Sequence, residues 1–239
     1  MDCETCVLIM EHFKQMAELS RTTTDESCPD SYNIRVSPRA LLFAIRAHQG
    51  QTRKVSGEPF VCHLVRVVQF LQDETFLDDP EVFTAALLHD AVEDTNVTLD
   101  EIQSHFGSRV ARLVAEVTDD RSLTRSQRKR AQLAAHIAEC SKSAKLIKAA
   151  DMWDNLSSLM EEGAPSDWSV ERVQGYFVWK YFIFQRGRYG EISGARALPH
   201  LFETKFFAKG RTFFHNGEMH PTLPEGDLEP FLERYLCSV

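Results

Sequence analysis

The segment that decides the fold reads Ala85-Ala86-Leu87-Leu88-His89-Asp90-Ala91-Val92-Glu93-Asp94-Thr95. An apolar helical pattern here meets four ionisable residues within six positions. On a helix, His89 and Asp90 lie four and three residues before Glu93, so the three groups would share one face. Burying a histidine and three carboxylates beside leucines is costly unless a cation is present. The segment therefore indicates either a buried metal site or a solvated helix end, and the His-Asp pair alone favours the solvated end.

Two other segments favour the metal site. His63 begins a helical pattern that we expect to pack next to the helix of His89, and Asp151 lies inside an amphipathic helical pattern. The ligands would then be the two imidazoles of His63 and His89 and the two carboxylates of Asp90 and Asp151. This mixed nitrogen and oxygen set suits Mn²⁺, Fe²⁺ or Zn²⁺ better than Mg²⁺. It also leaves coordination positions open for water and substrate, as a catalytic site requires.

Helical periodicity recurs along the chain and predicts an all-α fold, a helical bundle around one metal site. The predicted helices cover about 37–50, 60–73, 80–90, 98–106, 107–117, 125–139, 142–160 and 168–188. Ser37-Pro38 and the capping box Thr98-x-x-Glu101 predict two helix starts. We assign residues 37–209 to one domain. A helix and loop extension (1–36) precedes it, and a C-terminal extension (210–239), rich in Pro and Phe, is expected to pack on its surface.

The composition, 43% hydrophobic and 26% charged, is typical of a soluble globular protein. No apolar run approaches the ~20 residues of a membrane span, and the acidic start lacks the basic region of a secretory signal. We therefore expect a cytoplasmic protein without membrane contact. The net charge of −8 argues against broad nucleic-acid binding, which leaves a small phosphorylated ligand as partner. The six cysteines, including Cys3-x-x-Cys6, are interpreted as thiols. The oligomeric state stays open.

Several motifs resemble one known family. They are Ala47-His48-Gln49-Gly50-Gln51-Thr52-Arg53-Lys54, Ser56-Gly57-Glu58-Pro59-Phe60, the 85–95 segment, Phe106-Gly107, Val117-Thr118-Asp119-Asp120 and Arg172-Val173-Gln174-x-Tyr176-Phe177. Together with the order His, His-Asp, Asp, they resemble the HD-domain metal phosphohydrolases. The surrounding residues resemble the (p)ppGpp hydrolase domain of bacterial RelA/SpoT proteins, and most of all its stand-alone metazoan SpoT homologs. The resemblance covers about residues 38–209.

The resemblance implies a fold of eight to ten helices with one Mn²⁺ per chain. The implied reaction is hydrolysis of the 3′-pyrophosphate of (p)ppGpp, the stringent-response nucleotide, to GDP or GTP and pyrophosphate. It makes His63, His89, Asp90 and Asp151 the metal ligands, and Glu93 and Asp94 the carboxylates that orient and deprotonate the attacking water. Six residues would hold the nucleotide: Arg53, Lys54, Arg125 (in place of a family Lys), Asn155, Arg172 and Tyr176.

Two functional alternatives remain beside this hydrolase. One is removal of the 2′-phosphate of NADPH at the same site, also associated with the metazoan form, and the other is a metal-binding nucleotide sensor without turnover. The presence of Glu93 and Asp94 favours an enzyme over a sensor. No synthetase domain is expected after the hydrolase region. Asp154, where the family has His or Tyr, is expected to add negative charge near the phosphate pocket. The basic residues Arg128, Lys129 and Arg130 are predicted to form a solvated helix face.

Overall fold

A computed structural model describes residues 35–75, 77–134, 139–189, 192 and 211–239. These residues form ten helices and one two-stranded hairpin. In chain order they are α1 (Pro38–Ala47), α2 (Val61–Glu74), α3 (Pro80–Leu87), α4 (Ala91–Asp94), α5 (Leu99–Phe106), α6 (Ser108–Val117), α7 (Arg125–Leu133), α8 (Lys142–Glu161), α9 (Val170–Arg186), β1 (Thr212–His215), β2 (Glu218–Pro221) and α10 (Leu228–Ser238).

Side-chain caps define the helix starts that the sequence predicts. The Ser37 hydroxyl accepts a hydrogen bond from the Ala40 amide before Pro38 opens α1. Thr98 and Glu101 form a complete capping box at the start of α5, in which each side chain accepts from the other residue's backbone amide. Both predicted starts are confirmed. Such caps satisfy amide donors that the first helical turn leaves without partners.

Helix α8 is the central element of the fold. It packs against α2, α3, α6, α9 and β1, and it buries apolar side chains such as Leu146, Ile147 and Leu156. A helix with apolar residues on several sides is one that is surrounded by other elements. Asp151 lies in the middle of α8, so this carboxylate is attached to a rigid and well-packed part of the core.

The predicted helix over residues 80–90 is interrupted, which corrects the argument from helical spacing. Helix α3 ends at Leu87, a turn carries Leu88, His89 and Asp90, and α4 begins at Ala91. The interruption is stabilised at the end of α3, where the last backbone carbonyls have no hydrogen-bond partners within the helix. His89 Nδ1 donates to the Ala86 carbonyl at 2.7 Å and thereby satisfies one of them. His89 and Asp90 therefore lie in the turn between α3 and α4 and not on one face of a continuous helix.

The hairpin near the C-terminus was not predicted. Its antiparallel strands pair Phe214 with Met219 and are joined by Asn216-Gly217, with φ angles of 48° and 86°. Asn-Gly favours this two-residue hairpin turn because both residues tolerate positive φ. The eight strand residues leave the all-α class unchanged. Helix α10 then packs on α7 and α9.

Several predicted features lie outside the described residues: most of the 1–36 extension, the Cys3-x-x-Cys6 pair, part of the 125–139 helix, and the end of the 37–209 domain. Within the part of the chain that the structure describes, no helix is both long and apolar enough to cross a membrane.

Candidate metal centre and substrate cavity

Three helical regions bring the four predicted metal ligands to one place. His63 is the third residue of α2, His89 and Asp90 lie in the turn between α3 and α4, and Asp151 is in α8. One ligand atom from each of His63, His89 and Asp151 lies within 4.8 Å of the other two. This is a candidate divalent metal site built from residues distant in the sequence.

The interatomic distances fit a single ion. Asp151 Oδ1 lies 3.5 Å from His63 Nε2 and 3.7 Å from His89 Nε2. Asp90 Oδ2 lies 3.6 and 3.1 Å from the same two nitrogens. For bonds of about 2.1 Å, ligand atoms separated by roughly 90–120° at the ion would lie roughly 3.0–3.6 Å apart. Each carboxylate oxygen is therefore at nearly the distance from both histidine nitrogens that shared coordination requires.

Both imidazole rings are oriented for coordination through Nε2. His63 Nδ1 donates to Asp154 Oδ2 at 2.6 Å, and His89 Nδ1 donates to the Ala86 carbonyl. Each bond places the ring proton on Nδ1 and leaves the Nε2 lone pair directed at the centre. His89 Nε2 is buried, and no described residue makes a hydrogen bond of good geometry to it despite the nearby Asp90 oxygen. A metal ion would satisfy this atom.

The charges of the site also favour a bound cation. Burial lowers the pKa of His89, but the charge of Asp90 and the contacts with Asp151 raise this pKa well above its usual 6.5. Burial raises the pKa of Asp90, but His89 and His63 lower it well below its usual range. The pocket thus stabilises positive charge between its carboxylates. A divalent ion supplies that charge, and its binding displaces protons from the imidazoles.

Glu93 and Asp94 have the environment expected of a general base. Burial, with the charges of Asp119 and Asp90, raises the pKa of Glu93, and burial and Asp90 raise that of Asp94. Glu93 accepts a hydrogen bond from the Asp119 amide and lies 3.3 Å from Arg128 Nη1. A carboxylate with a raised pKa holds a transferred proton better than an ordinary one.

A cavity of about 780 Å³ opens onto the candidate metal site. Its size is within the range of small-molecule sites. It is lined by all four predicted metal ligands, by Glu93 and Asp94, and by five of the six predicted nucleotide-binding residues, Arg53, Lys54, Arg125, Asn155 and Tyr176. Arg172 is not among the described residues that line it. Its guanidinium lies 4.5 Å from the ring centroid of Trp168, which does line the cavity.

Arg53 and Asn155 are connected to the candidate metal site by hydrogen bonds. Arg53 Nη1 donates to Asn155 Oδ1 at 3.0 Å, and Asn155 Nδ2 donates to Asp151 Oδ1 at 2.6 Å. Asn155 therefore fixes the oxygen of Asp151 that faces both histidines. A ligand that engages Arg53 would contact a residue only two hydrogen bonds from the candidate metal ligand.

Two cavity lysines were not singled out from the sequence. Lys148 Nζ lies 3.9 Å from Asp119, and Lys180 Nζ lies 3.8 Å from the second oxygen of Asp151. Both line the cavity. Helical spacing was the available signal, because Lys148 precedes Asp151 by three residues and Lys180 follows Tyr176 by four.

The prediction of a solvated basic face over 128–130 is wrong for two of its three residues. Arg128 pairs with Glu93, and Lys129 is buried with its Nζ 3.4 Å from the Trp179 ring centroid. Only Arg130 is largely exposed, paired with Glu233 at the surface. The Lys129 ammonium lies over the rings of Trp179, Tyr176 and Tyr235, and burial lowers the pKa of Lys129 well below its usual value. Tertiary packing has overridden the helical charge pattern here.

Asp154 also differs from its expected place. Its carboxylate is 2% exposed and is paired with Arg66 and with His63 Nδ1, on the side of His63 away from the cavity. Burial raises its pKa, but the hydrogen bond with His63 and the charge of Arg66 lower it to about 2. The charge is therefore largely compensated by Arg66 and His63. Asp154 is not among the described residues that line the cavity, although its Oδ2 lies 4.0 Å from Arg53 Nη2.

The sequence matches a known family model and known proteins. The model, described as an HD domain, matches residues 40–174. The human guanosine-3′,5′-bis(diphosphate) 3′-pyrophosphohydrolase MESH1 is 43% identical over 164 residues, which are 68% of this chain and 90% of the human protein. The Drosophila melanogaster protein of the same name is 44% identical over 140 residues, which cover 58% of this chain and 77% of the fly protein.

One solved structure agrees in fold. It is described as a metazoan ortholog of SpoT that hydrolyzes ppGpp, and it superposes with a TM-score of 0.65 at 36% identity, covering 76% of this chain and all of the other. The family model spans the segments that carry the candidate metal site. This chain belongs to the HD-domain family, in the RelA/SpoT group that contains the metazoan SpoT homologs.

Proposed function

We propose that this protein is a metal-dependent guanosine-3′,5′-bis(diphosphate) 3′-pyrophosphohydrolase with one Mn²⁺ per chain. The observation that carries the proposal is the convergence of His63, His89, Asp90 and Asp151 on one point of a cavity that also contains Glu93 and Asp94. The names of the similar human and fly proteins give the same reaction. We assign the catalytic domain to residues 37–209, with flanking extensions at 1–36 and 210–239.

The donor atoms are compatible with Mn²⁺ as the ion. Two imidazole nitrogens and two carboxylate oxygens form a mixed set, which Mn²⁺, Fe²⁺ and Zn²⁺ accept more readily than Mg²⁺. When bound, a divalent ion supplies Lewis-acid polarisation and lowers the pKa of coordinated water. His63 and His89 would bind it through Nε2, with their Nδ1 protons held by Asp154 and by the Ala86 carbonyl.

Glu93 and Asp94 would orient the attacking water and accept its proton. Their raised pKa values favour proton acceptance at the moment of attack. Water oxygen would form a bond to the phosphorus attached to the ribose 3′ oxygen, and the bond between that phosphorus and the 3′ oxygen would break. The proton then passes to the departing oxygen, so that the products are a 3′-hydroxyl nucleotide and pyrophosphate.

Cationic side chains in the cavity would hold the phosphates. Arg53, Lys54 and Arg125 line it together with Lys148 and Lys180. They compensate the charge of the nucleotide and the charge that develops in the transition state. The cavity also contains Trp168 and Tyr176, whose rings lie 5.8 Å apart and offer an aromatic surface for a base. Arg172, which stacks on Trp168, would contribute charge from behind that surface.

The test is a comparison of two substrates with the full chain. Protein freed of metal by a chelator is reloaded with Mn²⁺ and given ppGpp or NADPH in separate reactions, with released pyrophosphate and phosphate measured. We expect pyrophosphate from ppGpp only when Mn²⁺ is present. Glu93→Gln serves as the matched control, because it is nearly isosteric and removes only the proposed base.

Each alternative gives a different result. Phosphate released from NADPH without pyrophosphate from ppGpp would assign the site to a 2′-phosphatase. Binding of ppGpp without turnover of either compound would indicate a sensor. Either outcome would overturn the proposed reaction while leaving the metal site intact.

A further inference from the structure

Three buried charged residues lie behind His63, away from the cavity. The side chains of Glu58, Arg66 and Asp154 are 5%, 14% and 2% exposed. Arg66 donates to both oxygens of Glu58 at 3.0 and 2.6 Å, and its Nε donates to Asp154 Oδ1 at 2.5 Å. None of the three is among the described residues that line the cavity. They therefore have no direct access to a substrate there.

Burial of these charges calls for a role beyond packing. Removing three charges from water is costly, and apolar side chains of similar volume often serve stability as well or better. In this group two carboxylates share one guanidinium. Asp154 Oδ2 also accepts a hydrogen bond from His63 Nδ1 at 2.6 Å, in a carboxylate–histidine arrangement that orients an imidazole and raises its basicity as a ligand.

Two of these residues, Glu58 and Asp154, also contact Arg53. The Glu58 carbonyl accepts a hydrogen bond from the Arg53 amide at 2.9 Å, while the Glu58 side chain holds Arg66. Arg53 Nη2 also approaches Asp154 Oδ2 to 4.0 Å. One group of charges thus touches a candidate metal ligand on one side and a predicted substrate-binding residue on the other.

We propose that Glu58, Arg66 and Asp154 form a positioning network that sets the affinity of the metal centre by holding His63, and that also fixes the Arg53 segment. Asp154 orients the ring, Arg66 fixes Asp154 through two nitrogens, and Glu58 anchors Arg66. The inference rests on the proposed function in one respect, that His63 is a metal ligand. It adds three residues that touch neither substrate nor metal.

The test measures Mn²⁺ affinity in the absence of substrate. Mn²⁺ is titrated into chelator-treated full-length protein, and the free ion is quantified by electron paramagnetic resonance. Asp154→Asn keeps an oxygen that accepts from His63 but loses the charge, so we expect the Kd to rise about 10–100-fold. Asp79→Asn is the matched control. Asp79 is also paired with an arginine, Arg109, but lies outside the cavity lining, and its variant is expected to bind within twofold of the wild type.

Activity supplies a second readout. The Asp154→Asn enzyme should lose activity at limiting Mn²⁺ and recover most of its kcat at high Mn²⁺, because the proposed base is intact. A loss of kcat that persists at saturating Mn²⁺ would indicate a defect other than weakened metal binding. Glu58→Gln should weaken Mn²⁺ binding by less than tenfold, and a Kd within twofold of the wild type would overturn the part assigned to Glu58.

A folded Asp154→Asn protein that binds Mn²⁺ within twofold of the wild type would overturn the inference. If this variant does not fold, Arg66→Lys is titrated instead, since it keeps the charge and loses the two-nitrogen contact. An unchanged Kd there would equally overturn it. The variant His63→Ala distinguishes a failure of the proposed network from a failure of the proposed function. If His63→Ala loses Mn²⁺ binding and Asp154→Asn does not, only the proposed network is wrong. Unchanged Mn²⁺ binding in His63→Ala would refute the metal site itself.

Discussion

At Gly175, α9 packs closely against Tyr235 of α10, and replacement of this glycine by alanine tests the packing. A Cβ added to Gly175 would lie 2.8 Å from Tyr235 Cβ and 2.6 Å from Tyr235 Cγ. These atoms are close to the backbone, so rotation of the tyrosine ring cannot relieve the contact. Gly175→Ala therefore requires α10 to move away from α9.

The expected change combines two opposing effects. Alanine is favoured over glycine inside a helix by about 1 kcal/mol. Overpacking of a close contact typically costs about 1–3 kcal/mol. Gly175→Ala alone should thus destabilise the protein by about 0–2 kcal/mol. In a Tyr235→Gly background these side-chain atoms are absent, and the same change should stabilise the protein by about 1 kcal/mol.

A double-mutant cycle measured by urea unfolding gives the decisive quantity. The effect of Gly175→Ala should differ between the two backgrounds by about 1–3 kcal/mol, which is the coupling between residues 175 and 235. Tyr235→Gly alone provides the matched reference for the lost side chain. If Gly175→Ala were equally stabilising in both backgrounds, the described packing of α10 on α9 would be incorrect.

Three further predictions concern catalysis. Glu93→Gln should reduce kcat by about 10²–10⁴-fold while ppGpp and Mn²⁺ still bind, and near-normal turnover would exclude Glu93 as the base. Because the pKa of Glu93 is raised above its usual 4.5, the protonated and inactive form persists to higher pH. The acid limb of kcat/KM should therefore fall as pH decreases through a value above 4.5, and a limb at or below 4.5 would contradict this environment. Arg53→Met should raise KM by about 10–100-fold, from the loss of a charge-assisted bond worth about 1.5–3 kcal/mol, and a large fall in kcat at unchanged KM would contradict a role in phosphate binding.

The helical class and the family were predictable because their signals are local or occur in a fixed order. Periodic apolar residues, the Ser37 and Thr98 caps and the ordered histidine and aspartate motifs all lie within short segments. The hairpin was also locally encoded by Asn216-Gly217, flanked by apolar residues. It was missed because its strands are only four residues long.

Other features depend on contacts between distant segments and could not be derived from spacing. The break after Leu87 is stabilised by a bond from His89 to the helix end, which an unbroken periodic pattern does not reveal. The burial of Lys129 depends on Trp179, fifty residues away. The compensation of the negative charge of Asp154 depends on Arg66 in α2. In each case tertiary contacts decided the environment of a charged side chain.

The most direct test of the proposed metal centre counts histidine ligands on bound Mn²⁺. Pulsed electron–nuclear double resonance is recorded on the Mn²⁺ protein with ¹⁵N-labelled histidine. The four-residue ligand set predicts couplings from two histidine nitrogens, with one lost in His63→Ala and the other lost in His89→Ala. A spectrum without nitrogen coupling, as given by the hydrated ion, would contradict the convergence of these side chains on one cation.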